Sequence, residues 1–194
     1  MENRILIIGD ELLGEQGEVA TRCVEMILCR EPNRPIQFSV NAPALPSIGQ
    51  FIARASSDII GKQAGRIVFC LGLKELFRER GDASKVAASY SALADEILSK
   101  TKSFVHFATI PQDLVPDNRE QIAQLNESIR KFAGKDPNRV SIIDFAQHVE
   151  FFKEKQVERG KYARQLFSED GKPMSICLTL LTLHLQDCIL EAIK

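Results

Sequence analysis

Five short apolar runs punctuate this chain, and the stretches between them carry helical periodicity. The plainest is the first, where Ile5-Leu6-Ile7-Ile8 leads straight into Gly9-Asp10. A run this short and apolar, closed by Gly-Asp, suits a strand buried on both faces, and such strands belong to parallel sheets. Residues 36–40, 66–71, 104–110 and 140–143 repeat the pattern. Helices are expected over 18–30, with Val19, Cys23, Met26 and Ile27 on one face, and over 84–99, with Val86, Tyr90, Leu93 and Ile97 aligned. Ile122, Leu125, Ile129 and Phe132 form a third helical stripe, opened by a capping-box-like Asp117 and Glu120. Ser47 suits the N-cap of a short helix carrying Ile48, Phe51, Ile52 and Ala55. The charged stretch 151–167 reads as a solvated helix or a surface excursion, and 175–193 as the last helix.

Strands alternating with helices predict a parallel sheet with right-handed crossovers and a helical layer on each face. Five strands suit a flavodoxin-like α/β/α sandwich of order 2-1-3-4-5. No linker rich in Pro, Gly or Ser divides residues 1–194, which read as a single domain. In such sheets ligands gather in the loops beyond the carboxyl ends of the strands. That edge should therefore carry Asp10, Glu11, Asn41, Lys74 and Arg78. Asp10 is expected to accept backbone hydrogen bonds in the turn after the first strand. Glu11 and Lys74 follow neighbouring central strands and are expected either to pair across that edge or to stand as separate solvated charges.

Lys plus Arg number 25 and Asp plus Glu 26, a balance that directs the chain toward neither nucleic acid nor acidic membranes. The apolar run near the N-terminus is too short for a signal-peptide core, and no apolar run is expected to span a membrane. Cys23, Cys29, Cys70, Cys177 and Cys188 lack metal-ligand spacing and read as reduced, mostly buried side chains of a cytoplasmic protein. No cofactor and no metal site is expected.

Gly9-Asp10-Glu11-Leu12 resembles the first sequence block of the SGNH (GDSL) hydrolases, Gly-Asp-Ser-Leu. Later stretches continue the resemblance over nearly the whole chain. Leu71-Gly72-Leu73-Lys74 is similar to the third block, a strand followed by Gly-x-Asn-Asp. Leu166 to Pro173 looks like the fifth block, in which Asp-Gly-x-His-Pro supplies the catalytic Asp and His. The resemblance implies an esterase fold with most of its machinery replaced. Glu11 stands at the nucleophilic serine, and Lys74 at the oxyanion-donating asparagine. Asn41-Ala42-Pro43 stands for Asn-x-Gly, and Pro43 has no N–H to donate. Asp170 matches the catalytic aspartate, while Pro173 occupies or follows the place of the histidine. Nucleophile, base and oxyanion donors act as a unit, so these changes imply a lost serine mechanism. A non-catalytic binding, scaffolding or regulatory protein is the expectation, with a small molecule or a protein as its partner.

Two other readings stand beside it. The first is a hydrolase with a reassigned site built on Glu11 and Asp170, with His148 the one histidine in plausible reach; His106 and His184 read as structural. The second follows from Gly9-Asp10-Glu11-Leu12, which also resembles the opening of molybdopterin-binding domains; their glycine-rich phosphate run has no counterpart after the third strand. The last helix carries Ile176, Leu178, Leu180, Leu181, Leu183, Leu185, Ile189 and Leu190 on more than one face. It reads either as deeply packed or as a homodimer contact, with Leu178 and Leu185 as outward positions.

Overall fold

A computed structural model describes residues 3–14, 17–41, 48–78, 82–158, 165–168 and 172–193; the side chains of residues 77, 78 and 158 lie outside that description. The five apolar runs form strands β1 (Arg4–Gly9), β2 (Gln37–Asn41), β3 (Arg66–Cys70), β4 (Phe104–Ala108) and β5 (Val140–Ile143). They pair in parallel in the order β2-β1-β3-β4-β5. The helices are α1 (Glu18–Arg30), α2 (Ile48–Ala53), α3 (Ala55–Asp58), α4 (Leu73–Arg78), α5 (Ala83–Lys100), α6 (Arg119–Lys131), α7 (Phe145–Glu158) and α8 (Ser175–Ala192). One face of the sheet is covered by α1, α8 and α7, which pack side by side, and the other by α2, α5 and α6.

The pattern of burial explains why the central strands β1, β3 and β4 read as apolar runs. Ile5, Ile7, Val68, Phe69, Val105 and Phe107 are all buried, because helices close both faces. On the α5–α6 face, Phe69 stacks on Phe107 with centroids 5.4 Å apart. Tyr90 and Phe132 meet the Phe107 ring edge-on at 5.3 and 5.2 Å. These geometries favour aromatic pairs beyond their simple burial. On the opposite face, His106 is buried in β4, with its Nδ1 2.6 Å from Ser141 Oγ. Burial pushes its pKa down to about 4, with the Arg66 charge adding to the effect.

Several expectations change. No capping box forms at Asp117 and Glu120: a 3-10 turn over Pro116–Asn118 precedes α6, whose N-cap Asn118 makes no side-chain cap hydrogen bond. Pro116 starts that separate turn, so the chain enters α6 one residue later than a cap at Asp117 requires. The stretch after β5 forms α7 from Phe145, not a segment starting at residue 151. Leu185 is fully buried and cannot be an outward position, whereas Leu183 is exposed; Leu181, Leu185 and Ile189 face the core. By length and composition, and against expectation, α8 is long and apolar enough to cross a bilayer, and here it packs between α1 and α7. The proposed Ser47 cap lies outside the described residues.

Candidate functional site

The carboxyl ends of β1 and β3 lie side by side, and their register brings Gly9 opposite Cys70. The chain then turns at Asp10 into a 3-10 turn over Glu11–Leu13. Gly9 is required by space, since a Cβ there would run into the Leu13 side chain and press on the Cys70 carbonyl. Gly72 is required by conformation: its φ of +117° lies where L side chains are strained. That turn aims the Gly72 N–H back at β1.

Asp10 is the point where these two loops are tied together. Its Oδ1 accepts from the Leu12 N–H at 3.0 Å, and its Oδ2 accepts from the Gly72 and Lys74 N–H groups at 2.9 and 3.2 Å. The Asp10 N–H donates to the Cys70 carbonyl at 3.0 Å. Only 5% of the residue is exposed. Burial pushes its carboxyl up to about 6; the three N–H donors pull the other way without winning, and Glu11 adds to the rise. A carboxylate this enclosed positions loops; both its oxygens are already committed to backbone donors.

Glu11, at the next position, points outward. Its carboxylate lies 4.0 Å from the Lys74 ammonium, with the Glu11 side chain 49% and the Lys74 side chain 13% exposed. The two residues expected to share this edge therefore do so. Glu75 Oε2 accepts from the Ile48 N–H at 3.2 Å and so anchors the start of α2 to the same corner. Asn41 ends β2 beside Ile8, half-buried. Pro43 and Asp170 lie outside the described residues, as does the Arg78 side chain. Pro173 is half-buried and bridges Phe167 in a small antiparallel ladder; the Met174 N–H donates to the Leu166 carbonyl at 2.9 Å.

His148 belongs elsewhere. Its ring stacks on His184 across the α7–α8 seam, with centroids 4.2 Å apart and planes 11° apart. It lines a cavity of about 440 Å³ with Asp144, His184 and Cys188, to which neither Glu11 nor Lys74 contributes. Burial lowers the pKa of both imidazoles; for His184 the neighbouring ring adds to the fall. Among the described residues no group of three or more His, Cys, Asp or Glu side chains is arranged to hold a metal ion.

Sequence reasoning missed a second polar cluster, at the carboxyl ends of β4 and β5. Asp144 accepts from Arg130 Nε and Nη2 at 2.7 and 3.0 Å, from the Thr109 hydroxyl at 2.8 Å and from the Gln147 N–H at 3.0 Å. Thr109 Oγ1 in turn accepts from the Ala146 N–H at 3.0 Å. Next to it, Asn126 is fully buried and pairs through both ends of its amide with the Ile110 backbone, at 2.8 and 2.7 Å. The signal was present for Asn126, which interrupts the apolar stripe of α6 and therefore needs a partner inside.

The arrangement so far is an open parallel sheet of order 2-1-3-4-5 with its polar loops on the carboxyl edge. The same arrangement is found in solved structures. The acetylxylan esterase Axe2 from Geobacillus stearothermophilus superposes with a TM-score of 0.75 at 14% identity, covering 98% of this chain and 94% of that one. The chain has the fold of the GDSL-type esterases and lipases. The acetyl xylan esterase AlAXEase gives 0.73 at 16% identity, with 96% and 99% covered. A GDSL-like lipase from Bacteroides thetaiotaomicron gives 0.69 at 16% identity, with 98% and 89% covered. No protein-family model matches the sequence, and no curated protein matches it. At these identities the likeness is one of SGNH fold, over nearly the whole length of both partners.

Proposed function

We propose that this chain is an SGNH-fold protein that does not run serine esterase chemistry and acts by binding. One observation carries the reading. The first residue of the turn after β1, where the GDSL motif has its serine, is Glu11, and its carboxylate faces the Lys74 ammonium at 4.0 Å. A carboxylate paired with a cation is a poor nucleophile, because the cation stabilises the charge that would attack. Lys74 also stands where the motif has an oxyanion-donating asparagine, and Pro43 has no N–H. Two fold neighbours are acetyl xylan esterases, whereas this chain carries Glu11 where the GDSL motif has its serine. What the chain retains is the positioning of the loops by Asp10, which holds a polar edge of one carboxylate and one ammonium suited to a small polar ligand or a protein loop.

The test is hydrolysis of p-nitrophenyl acetate by the purified protein. Wild type and Glu11→Ala should give the same rate, equal to the background of an unrelated folded protein. Glu11→Ser alone should not restore turnover, because Pro43 and Lys74 remain. A rate that vanishes in Glu11→Ala would overturn the reading and favour a reassigned hydrolase.

A further inference from the structure

The two edges of the sheet are finished differently. At the β5 edge the Arg139 carbonyl accepts from the Val105 N–H at 2.7 Å, which turns the next residue, Val140, away from β4. The outward Val140 N–H is not left open. It donates to the Asp136 carbonyl at 2.8 Å, and the turn over Phe132–Gly134 packs against the strand. At the β2 edge the Gln37 N–H donates to the Asn3 carbonyl at 2.9 Å. Alternate residues of a strand bond to the same neighbour, so Gln37, Ser39 and Asn41 face β1, while Phe38 and Val40 turn their N–H and C=O groups outward. Among the described residues no hydrogen bond is made to these four outward groups.

The side chains leave this edge equally unguarded. Proteins protect edge strands with Lys, Pro or a bulge, and Gln37–Asn41 has none of them. Phe38 and Val40 lie on the α1 face of the sheet, in register with Ile5 and Ile7; Val40 is 41% exposed and Phe38 is half-buried. Val24 and Leu28, one turn apart, occupy the side of α1 away from Arg30, which reaches Asp187 of α8 at 3.8 Å. Leu28 is 42% exposed. An apolar strip therefore runs from α1 onto the edge strand, and the strand itself carries no charge.

We propose that β2 is a two-fold interface between copies of this chain, in which the two Gln37–Asn41 segments pair antiparallel about Ser39. The alternation along the strand selects both the occupant and the register. About Ser39, Phe38 of each copy meets Val40 of the other, so every outward N–H and C=O finds a partner. The same pairing sets Phe38 against Val40 on the α1 face. On the other face it sets Gln37 against Asn41, amide against amide, with no like charges opposed. An axis at Phe38 instead would set Val40 against Ile36, whose N–H already donates to the Arg34 carbonyl at 2.8 Å. The apolar strip of each copy then faces that of the other. The interface is independent of the reading given to the carboxyl edge.

Light scattering on the eluting full chain should give wild type twice the mass of one chain, falling toward one chain on dilution. Val40→Pro removes one outward N–H per copy and no bond to β1, so it should run as a monomer with the circular dichroism of wild type. If Val40→Pro fails to fold, Val40→Lys decides the matter: the position is exposed, and an edge lysine should weaken association at least tenfold. Leu183→Lys, on the exposed side of α8, should stay dimeric. Cross-linking tests the register, with the exposed native thiol removed by Cys29→Ser. In that background Ser39→Cys should join two chains on mild oxidation, because the axis sets residue 39 beside its own copy at about 4.5 Å between Cα atoms. Gln37→Cys should not, since its two copies would lie on the order of 13 Å apart. A monomeric wild type, wild-type association in Val40→Pro or Val40→Lys, dissociation by Leu183→Lys, or Ser39→Cys cross-linking no faster than Gln37→Cys would each overturn the proposal.

Discussion

Asp10 and Asp144 close different strands at the same edge of the sheet, and both are saturated with hydrogen bonds, yet their acidities move apart. Asp10 takes three backbone N–H groups and is pushed up to about 6. Asp144 takes one backbone N–H, a hydroxyl and both arms of Arg130, and is held below the ordinary carboxylate range. Burial raises both and is the largest influence on each. At Asp144, which keeps 22% of its side chain exposed, the Arg130 guanidinium together with the Gln147 N–H and the Thr109 hydroxyl outweighs it. At Asp10 neutral amide dipoles alone do not replace the water lost on burial. The number of hydrogen bonds therefore matters less than whether one donor carries charge.

The sharpest way to break this comparison is Asp10→Ala. It leaves the Leu12, Gly72 and Lys74 N–H groups without their acceptor in a buried corner. Each unsatisfied donor costs about 1–3 kcal/mol, so a loss of about 3 kcal/mol or more is expected in urea unfolding. A loss below about 1 kcal/mol would mean water replaces the carboxylate, and the corner would then be wetter than Asp144's.

Titration by carboxyl NMR sharpens it next: Asp10 should show a midpoint near 6 and Asp144 one below 3.8. The sign follows from linkage. With its folded pKa above the unfolded one, Asp10 makes the native state bind more protons between about pH 4 and 6, so its contribution to stability falls as pH rises through that window. The effect amounts to on the order of 3 kcal/mol. His106, pushed down from 6.5 to about 4, acts oppositely, and its contribution is lost as pH falls through the same range. His148 and His184, also lowered by burial, act in the same direction as His106. Asp10→Asn isolates the Asp10 contribution: relative to that variant, wild type should gain stability as the medium is acidified from pH 6 to pH 4. A difference between the two that stays flat over that interval would contradict the raised Asp10 value.

Arg130→Gln tests the other carboxylate. The Arg130 side chain is 43% exposed, so solvent screens much of the pair and the expected loss is about 1 kcal/mol. The informative readout is Asp144 itself, whose midpoint should climb toward or past the ordinary carboxylate value once burial is opposed only by Thr109 and Gln147. An unmoved midpoint would credit Thr109 and Gln147 with holding the charge.

What could be read in the sequence divides along physical lines. The central strands were legible because burial on both faces removes any polar alternation, as in Ile5-Leu6-Ile7-Ile8, whereas the edge strand β2 alternates and has no buried residue. The pairing of Glu11 with Lys74 could be expected from topology alone, since β1 and β3 are neighbours and both residues follow a strand end. Helix α7 was not legible because its apolar residues do not mark its buried side: Phe145 and Val149 are buried, but Phe151 is 55% and Val157 66% exposed. Leucines around α8 point several ways because α1, α7 and the sheet all contact it, so its inward side cannot be read from spacing; Leu185 turns in and Leu183 out. Bonds from Asp10 to Gly72 and Lys74 span more than sixty residues, and no local pattern announces them. The Arg130–Asp144 fork depends on how α6 lies over the end of β5.

The smallest effect belongs to the neighbour of the largest. Glu11→Gln removes the charge facing Lys74, but the gap is 4.0 Å and half of the Glu11 side chain is in solvent. Exposed pairs of this kind contribute about 0–1 kcal/mol, so the melting curve should move by no more than about 0.5 kcal/mol. Adjacent residues in one turn would then differ severalfold in their weight on stability: Asp10 holds the corner together, and Glu11 only decorates its surface. A residue that costs so little to change is free to be chosen for what it meets outside the fold. A loss of 2 kcal/mol or more in Glu11→Gln would remove that distinction. The Glu11–Lys74 pair would then be a structural tie like Asp144 and Arg130, and the case for a binding edge there would weaken accordingly.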